Sequence, residues 1–359
     1  LFSSLFGVNY LTAMIISAIV IVAYTTLGGF LAASTTDFIQ SIIMSVALIV
    51  VLIFGVETAG GIGAVIHNAS ELPGYLSMTL SYDVNTGKAA PYSALTIVST
   101  AAWGLGYFGM PHILLRFMAI EDEKKLKLSR RVATIWVVIS LFVAVFIGVI
   151  GYTMSKVGAL EMLTGSNSET IIVKISALLS QHGVIFALLA GVILAGILAS
   201  TMSTSDSQLL AASSAVSSDI LGAFRKDSSN KNGSMAAARI TLLVISVVAA
   251  FIARNPDSSV FAIVSFAWAG FGAAFGPVVL FSLFWKRTNK WGALAGMVCG
   301  GSMVFIWKYL IRPLGGIWNI YELLPAFLIA CAAIVIVSLL TPKPSKEIEE
   351  EFDRVAQMK

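Results

Sequence analysis

FIQSIIMSVALIVVLIFGV, residues 38–56, runs for nineteen positions without a charged side chain. A helix that crosses the roughly 30 Å hydrocarbon core of a bilayer needs about 20 such residues. The stretch decides the fold class because it recurs. Runs of the same character occupy 10–33, 92–116, 132–152, 183–218, 236–253, 258–285, 291–311 and 323–341. Hydrophobic residues make up 57% of the chain and charged residues 12%, against about 45–50% and about 25% in soluble domains. The mean hydropathy is +0.89. The expected fold is therefore an all-α membrane protein of about nine transmembrane helices, one domain over 1–341, with a tail at 342–359. A soluble helical protein would lack polar surface at this composition. A β-barrel would show alternating rather than continuous apolar runs.

The remaining polar residues say how the runs are arranged. Cys299 and Cys331 fall inside apolar runs and read as small packing residues, not as a disulfide framework. Of the 23 Lys and Arg, 17 fall on one alternating set of connections. These include Arg116, Lys124, Lys125, Arg225, Lys226, Lys286 and Arg287 and the tail. The other set carries Lys88, Lys156, Lys174, Arg254, Lys308 and Arg312. The positive-inside rule puts the richer set and the C-terminus in the cytoplasm, and nine crossings then put Leu1 outside. The net charge of +4 is thus a topology signal and gives no reason to expect nucleic acid.

Three places interrupt the apolar pattern. Trp103-Gly104-Leu105-Gly106-Tyr107-Phe108-Gly109-Met110-Pro111-His112 sets three glycines and a proline inside a run. Gly and Pro weaken a helix and free backbone polar groups, which at membrane depth must line a cavity or be buried in protein. Trp103 and Tyr107 share a face and could wall a small-solute pocket; a kinked structural helix with interfacial aromatics is the alternative. In Ser200–Ser207, every residue but Met202 carries a side-chain oxygen. Ser200, Ser203, Thr204 and Ser207 follow i, i+3, i+4, i+7 spacing, and Asp206 lies beside them. Hydroxyls, carbonyls and one carboxylate suit a hard cation such as Na⁺. Hydroxyls bonded to their own helix are the alternative, but they do not account for a membrane-embedded aspartate. Asp37 closes Ser34-Thr35-Thr36-Asp37, where it is either a helix N-cap or a group reaching inward to an ion. Ala269–Gly272 and Gly296–Gly301 read as small-residue segments for close helix packing.

These residues carry a resemblance. Trp103–Gly109 with Pro111-His112, Met202-Ser203-Thr204 with Gln208-Leu209-Leu210, and Ser265–Pro277 together resemble the sodium/solute symporter family, within it the bacterial members specific for proline. The likeness covers about 1–341. It implies two inverted five-helix repeats with flanking helices, and sites near the midplane at broken helices. It implies Trp103, Gly104 and Tyr107 in substrate binding, Ser203 and Thr204 as side-chain sodium ligands, and Ser200 as a carbonyl ligand. It also implies Asp37, Asp206 and Ser207 in a second sodium site. About four N-terminal helices of the family are absent, among them a broken helix that completes both sites. The implied function is Na⁺/proline symport by alternating access in the plasma membrane. No cofactor beyond Na⁺ and no enzymatic step is implied. Another small organic solute, or a non-transporting membrane scaffold, is the alternative.

Overall fold

A computed structural model describes residues 7–83, 86–220, 231–254 and 260–357. Leu1, Arg225, Lys226 and Lys359, used above for orientation, lie outside the described residues. Among the described residues, seven helices are long and apolar enough to cross a membrane. Two of the nine sequence runs are missing from that count, for different reasons. Runs 10–33 and 38–56 form one helix, α1 (Tyr10–Thr58), of 49 residues. At 1.5 Å per residue it would reach about 74 Å, more than twice the ~30 Å hydrocarbon core, so it holds two crossings. The break is at Gly29, with φ 61° and ψ −159°, a backbone state that side chains rarely adopt. It comes earlier than the sequence boundary at 33–38. Run 92–116 is not one helix at all. It divides into α3 (Ala94–Ala101), a 3₁₀ segment (Ala102–Gly109) and α4 (Pro111–Met118).

The other helices follow the runs: α5 (Leu126–Lys156), α7 (Val184–Ser214), α8 (Lys231–Ile252), α9 (Val260–Phe284), α10 (Lys290–Ile306) and α11 (Leu323–Leu340). The long connections hold α2 (Ile62–Ser70), a short hairpin of β1 (Leu80–Asp83) and β2 (Lys88–Pro91), and α6 (Ile171–Ser180). The tail forms α12 (Lys346–Gln357). Side chains such as Leu31, Val145, Leu188 and Phe284 stand exposed along the spanning helices. Such continuous apolar surface suits lipid, not water.

The chain gathers into two compact units: 1–76 with 82–89 and 120–257, and 77–81 with 90–119 and 258–359. In the first, α1 packs along α7, and Val51, Ile147, Ile150, Met154, Ile175 and Ile193 form the core. Gly196 lets the helices close: a Cβ there would stand 2.9 Å from the Ala47 Cβ. In the second, the 3₁₀ segment, α10 and α11 surround α9, over a core of Ala269, Ala273, Val304, Leu323, Ala326 and Phe327.

The ion pairs join residues that the charge count puts on the same side. Lys156 pairs with Glu71. Lys174 pairs with Glu161 at 2.7 Å, and Lys286 with Asp353 at 2.6 Å. The two lysines hold the Glu71 and Glu161 carboxyls below their usual 4.5. A carboxyl whose folded value is depressed adds stability that is complete above its unfolded value and fades as pH falls through the folded one. Acidification from pH 5 toward about 3 is therefore expected to loosen 62–71 and 157–180 before the bundle. Hydrogen exchange checks this. Glu71→Gln and Glu161→Gln should flatten the dependence, and equal protection at both pH values would refute it.

Candidate functional site

In the second unit the broken run becomes a built feature. Four glycines bring α9 against the 3₁₀ segment, backbone on backbone. A Cβ on Gly109 would stand 2.3 Å from the Phe271 carbonyl oxygen, and one on Gly272 would stand 2.6 Å from the Gly106 Cα. Gly276 likewise faces the Leu105 carbonyl at 3.4 Å. Gly106 itself lies under the Trp268 indole, 2.0 Å from where its Cβ would be. The small-residue segment 269–272 thus does pack a close contact, and its partner is the helix break.

The 3₁₀ turn changes where carbonyls point, and one of them is met by a side chain. Trp268 Nε1–H donates to the Trp103 carbonyl at 2.9 Å. The Trp103 ring stacks with Phe261, Trp268 and Tyr321, with centroids 5.4–6.0 Å apart and interplanar angles of 12–15°. Tyr107 meets Trp268 edge-on at 4.7 Å and is 45% exposed. Of the two aromatics singled out by the sequence, Trp103 is held by other rings, whereas Tyr107 presents an accessible surface. Gly104 faces open space, with no atom within 4 Å of an added Cβ. Sequence reasoning missed Trp268 and Tyr321. The Ser265–Pro277 motif was the available signal for Trp268; none pointed to Tyr321.

Trp268→Phe keeps a ring and removes the N–H. The Trp103 carbonyl then loses its donor, at an expected cost of about 1 kcal/mol. The purified chain should unfold at a lower temperature, and an unchanged unfolding temperature would show that the bond contributes nothing.

In the first unit, the oxygen-rich stretch of α7 divides into two groups. Ser203 and Thr204 both donate to the Ser200 carbonyl, at 3.4 and 3.1 Å, so these three residues converge. Back-bonding to the preceding turn is the ordinary state of helical hydroxyls, and it leaves their lone pairs for a cation. Asp206, one turn on from Ser203, is fully buried. The Tyr24 hydroxyl of α1 donates to Asp206 Oδ2 at 2.8 Å, and the Ser207 hydroxyl to Oδ1 at 3.3 Å. Tyr24 Oη also lies 3.3 Å from the Met202 carbonyl. Asp37 lies within electrostatic reach of Tyr24. It does not cap a helix: the break is at Gly29, and α1 has resumed before Asp37. Thr35 and Thr36 bond back to Leu31 and Ala32 as interior residues do. Buried Asp206, with half-buried Tyr24 and Ser207 bonded to it and Asp37 near Tyr24, offers carboxylate and hydroxyl oxygens between α1 and α7. Tyr24 is the member that sequence reasoning missed.

Comparison with known proteins gives a consistent picture. The profile of the sodium:solute symporter family matches residues 1–300. The osmoregulated proline transporter OpuE of Bacillus subtilis is 38% identical over 96% of this chain and 66% of its own length. The sodium/proline symporter of Salmonella typhimurium is 38% identical over 98% of this chain and 66% of its own, and that of Haemophilus influenzae 39% over 99% and 68%. The chain thus spans about two thirds of the length of these relatives. A solved Na⁺-coupled sialic acid symporter, in a substrate-bound outward-open state, shares the fold at a TM-score of 0.73. It covers 96% of this chain and 69% of its own, at 17% identity.

Proposed function

The chain belongs to the sodium:solute symporter family, and on that premise we propose that it acts in Na⁺-coupled uptake of proline by alternating access. The observation that supports this most is identity of 38–39% across nearly the whole chain to proteins named sodium/proline symporters. The two candidate sites suit the reading. Tyr107 and the open space at Gly104 would wall the solute pocket, with Trp103 as a fixed ring behind them. Ser200, Ser203 and Thr204 would supply Na⁺ ligands through two hydroxyls and a carbonyl. Asp37, Asp206 and Ser207 would supply a second Na⁺ site.

Na⁺ would favour the solute-binding state, and by linkage the two ligands raise each other's affinity by the same factor. A zwitterion such as proline can meet backbone dipoles at the 3₁₀ break with both its charges, with no cavity arginine. The transporter domain would cover 1–341, multi-pass in the cell membrane, with the C-terminus in the cytoplasm.

The test is radiolabelled proline uptake into proteoliposomes containing a full-length relative, or that relative with residues 1–359 in place of its matching segment, with and without a Na⁺ gradient. Na⁺-dependent accumulation is expected. Equal uptake in K⁺ and Na⁺ buffers in both preparations would overturn the reading.

A further inference from the structure

Tyr321 comes from the connection between α10 and α11, outside the broken segment and outside every motif that carries the family likeness. It nevertheless ties three parts of the second unit together. Its backbone N–H donates to Ser99 Oγ of α3 at 3.1 Å. Its hydroxyl donates to the Ser265 carbonyl of α9 at 2.6 Å. Its ring stacks on Trp103 of the 3₁₀ segment at 6.0 Å and 15°.

The next residue explains why Tyr321 stays there. Glu322 is 1% exposed and accepts from Arg312 at 2.8 Å, with Lys308 Nζ 3.7 Å away. Lys308 also lies over the Phe266 ring of α9, 3.9 Å from its centroid. A carboxylate buried this deeply is stable only while its cations stay in place, so the ion cluster fixes the connection and Tyr321 with it.

We propose that Tyr321 is a positioning residue for the solute site, setting where the Trp103 ring stands against the break, and that the connection 307–322 is part of that site through the Glu322 cluster. The inference rests on the proposed reading of 103–107 as the solute wall. Trp103 has one ring neighbour, Tyr321, that is fastened to both α3 and α9. Without it, Trp103 keeps its stack on Phe261 and Trp268 but loses the ring whose residue is hydrogen-bonded to both Ser99 of α3 and Ser265 of α9.

The test measures Na⁺-dependent proline binding and uptake for wild type, Tyr321→Phe, Tyr321→Ala and Glu322→Gln. The substitutions are made in the chain and at the matching positions of a full-length relative. Tyr321→Phe removes one hydrogen bond and should raise the half-saturating proline concentration about fivefold. Tyr321→Ala also removes a stacked ring and should raise it about tenfold or more, with maximal uptake per molecule near wild type. Glu322→Gln should move it in the same direction. If Tyr321→Ala does not fold, the Phe and Gln variants decide. Unchanged half-saturation at normal abundance would overturn the proposal. So would a fall in abundance and maximal rate together without a shift in half-saturation, which is what packing alone predicts. Wild-type samples that bind no proline would instead sink the function reading, and the inference with it.

Discussion

Gly109→Ala is expected to cost about 3 kcal/mol or more of stability and to abolish Na⁺-dependent uptake. The added methyl would stand 2.3 Å from the Phe271 carbonyl oxygen, 2.8 Å from the Gly276 nitrogen and 2.9 Å from the Gly272 Cα. All three are backbone atoms of α9, so no side-chain rotation relieves the clash and a helix must move. Overpacking by a methylene ordinarily costs about 1–3 kcal/mol, and a rigid backbone neighbour puts this case at or above the top of that range. The same glycines hold the 3₁₀ segment in register with Trp268, so the displacement also disturbs the bond from the indole to the Trp103 carbonyl. Gly104→Ala is the control. It lies in the same segment, no atom stands within 4 Å of its added Cβ, and its φ is not positive. It should unfold near or slightly above the wild-type temperature, because alanine restricts the unfolded chain more than glycine does. Thermal unfolding of both variants in one detergent separates the cases; equal stability of the two would refute the backbone-contact account. Any loss of proline affinity in a normally stable Gly104→Ala would then report on the open space beside it.

What the sequence showed and what it did not divide along a physical line. Lipid acts as a solvent on each segment separately, so a spanning run must be apolar by itself and can be read locally. That is why the long apolar helices are legible and why the break at 104–111 announced itself through its own glycines and proline. Gly29 did not announce itself: it lies in an apolar run, beside a second glycine at Gly28, and only the dihedral angle at Gly29 reveals the kink. Asp37 followed Ser34, Thr35 and Thr36 like a cap, yet the helix began before them. The pairings were out of reach because they are distant in the chain. Trp268 meets the Trp103 carbonyl across 165 positions, and Tyr24 meets Asp206 across 182. A lone tyrosine in an apolar run is indistinguishable from a packing residue until its partner carboxylate is located. The oxygen-rich face at 200–207 was visible as composition, but its division into an exposed hydroxyl group and a buried carboxylate depends on what α1 brings against it.

Asp206→Asn is expected to raise the Na⁺ concentration for half-maximal proline uptake about tenfold at near-normal abundance, since a carboxylate ligand is worth more to a desolvated cation than an amide oxygen. The amide keeps an oxygen to accept from Tyr24, so the contact between α1 and α7 survives while the charge is lost. Asp37→Asn should act in the same direction. Tyr24→Phe does the reverse: it keeps the charge and removes the donor now 2.8 Å from Oδ2. The buried carboxylate then loses that bond, at a cost of about 1–3 kcal/mol for a weakened buried polar group. A cation bound at Asp206 would replace that donor. Tyr24→Phe should therefore unfold at a lower temperature than wild type in K⁺ buffer and recover much of the difference in Na⁺ buffer, because a ligand that binds only the folded state stabilises it by RT ln(1 + [Na⁺]/Kd). In the double variant, Asp206→Asn should remove the Na⁺ recovery. A tyrosine and an aspartate that merely clamp two helices predict another pattern: Tyr24→Phe equally unstable in both salts, and Asp206→Asn with wild-type Na⁺ dependence. That result would assign the pair to helix packing and leave Na⁺ binding to Ser200, Ser203 and Thr204.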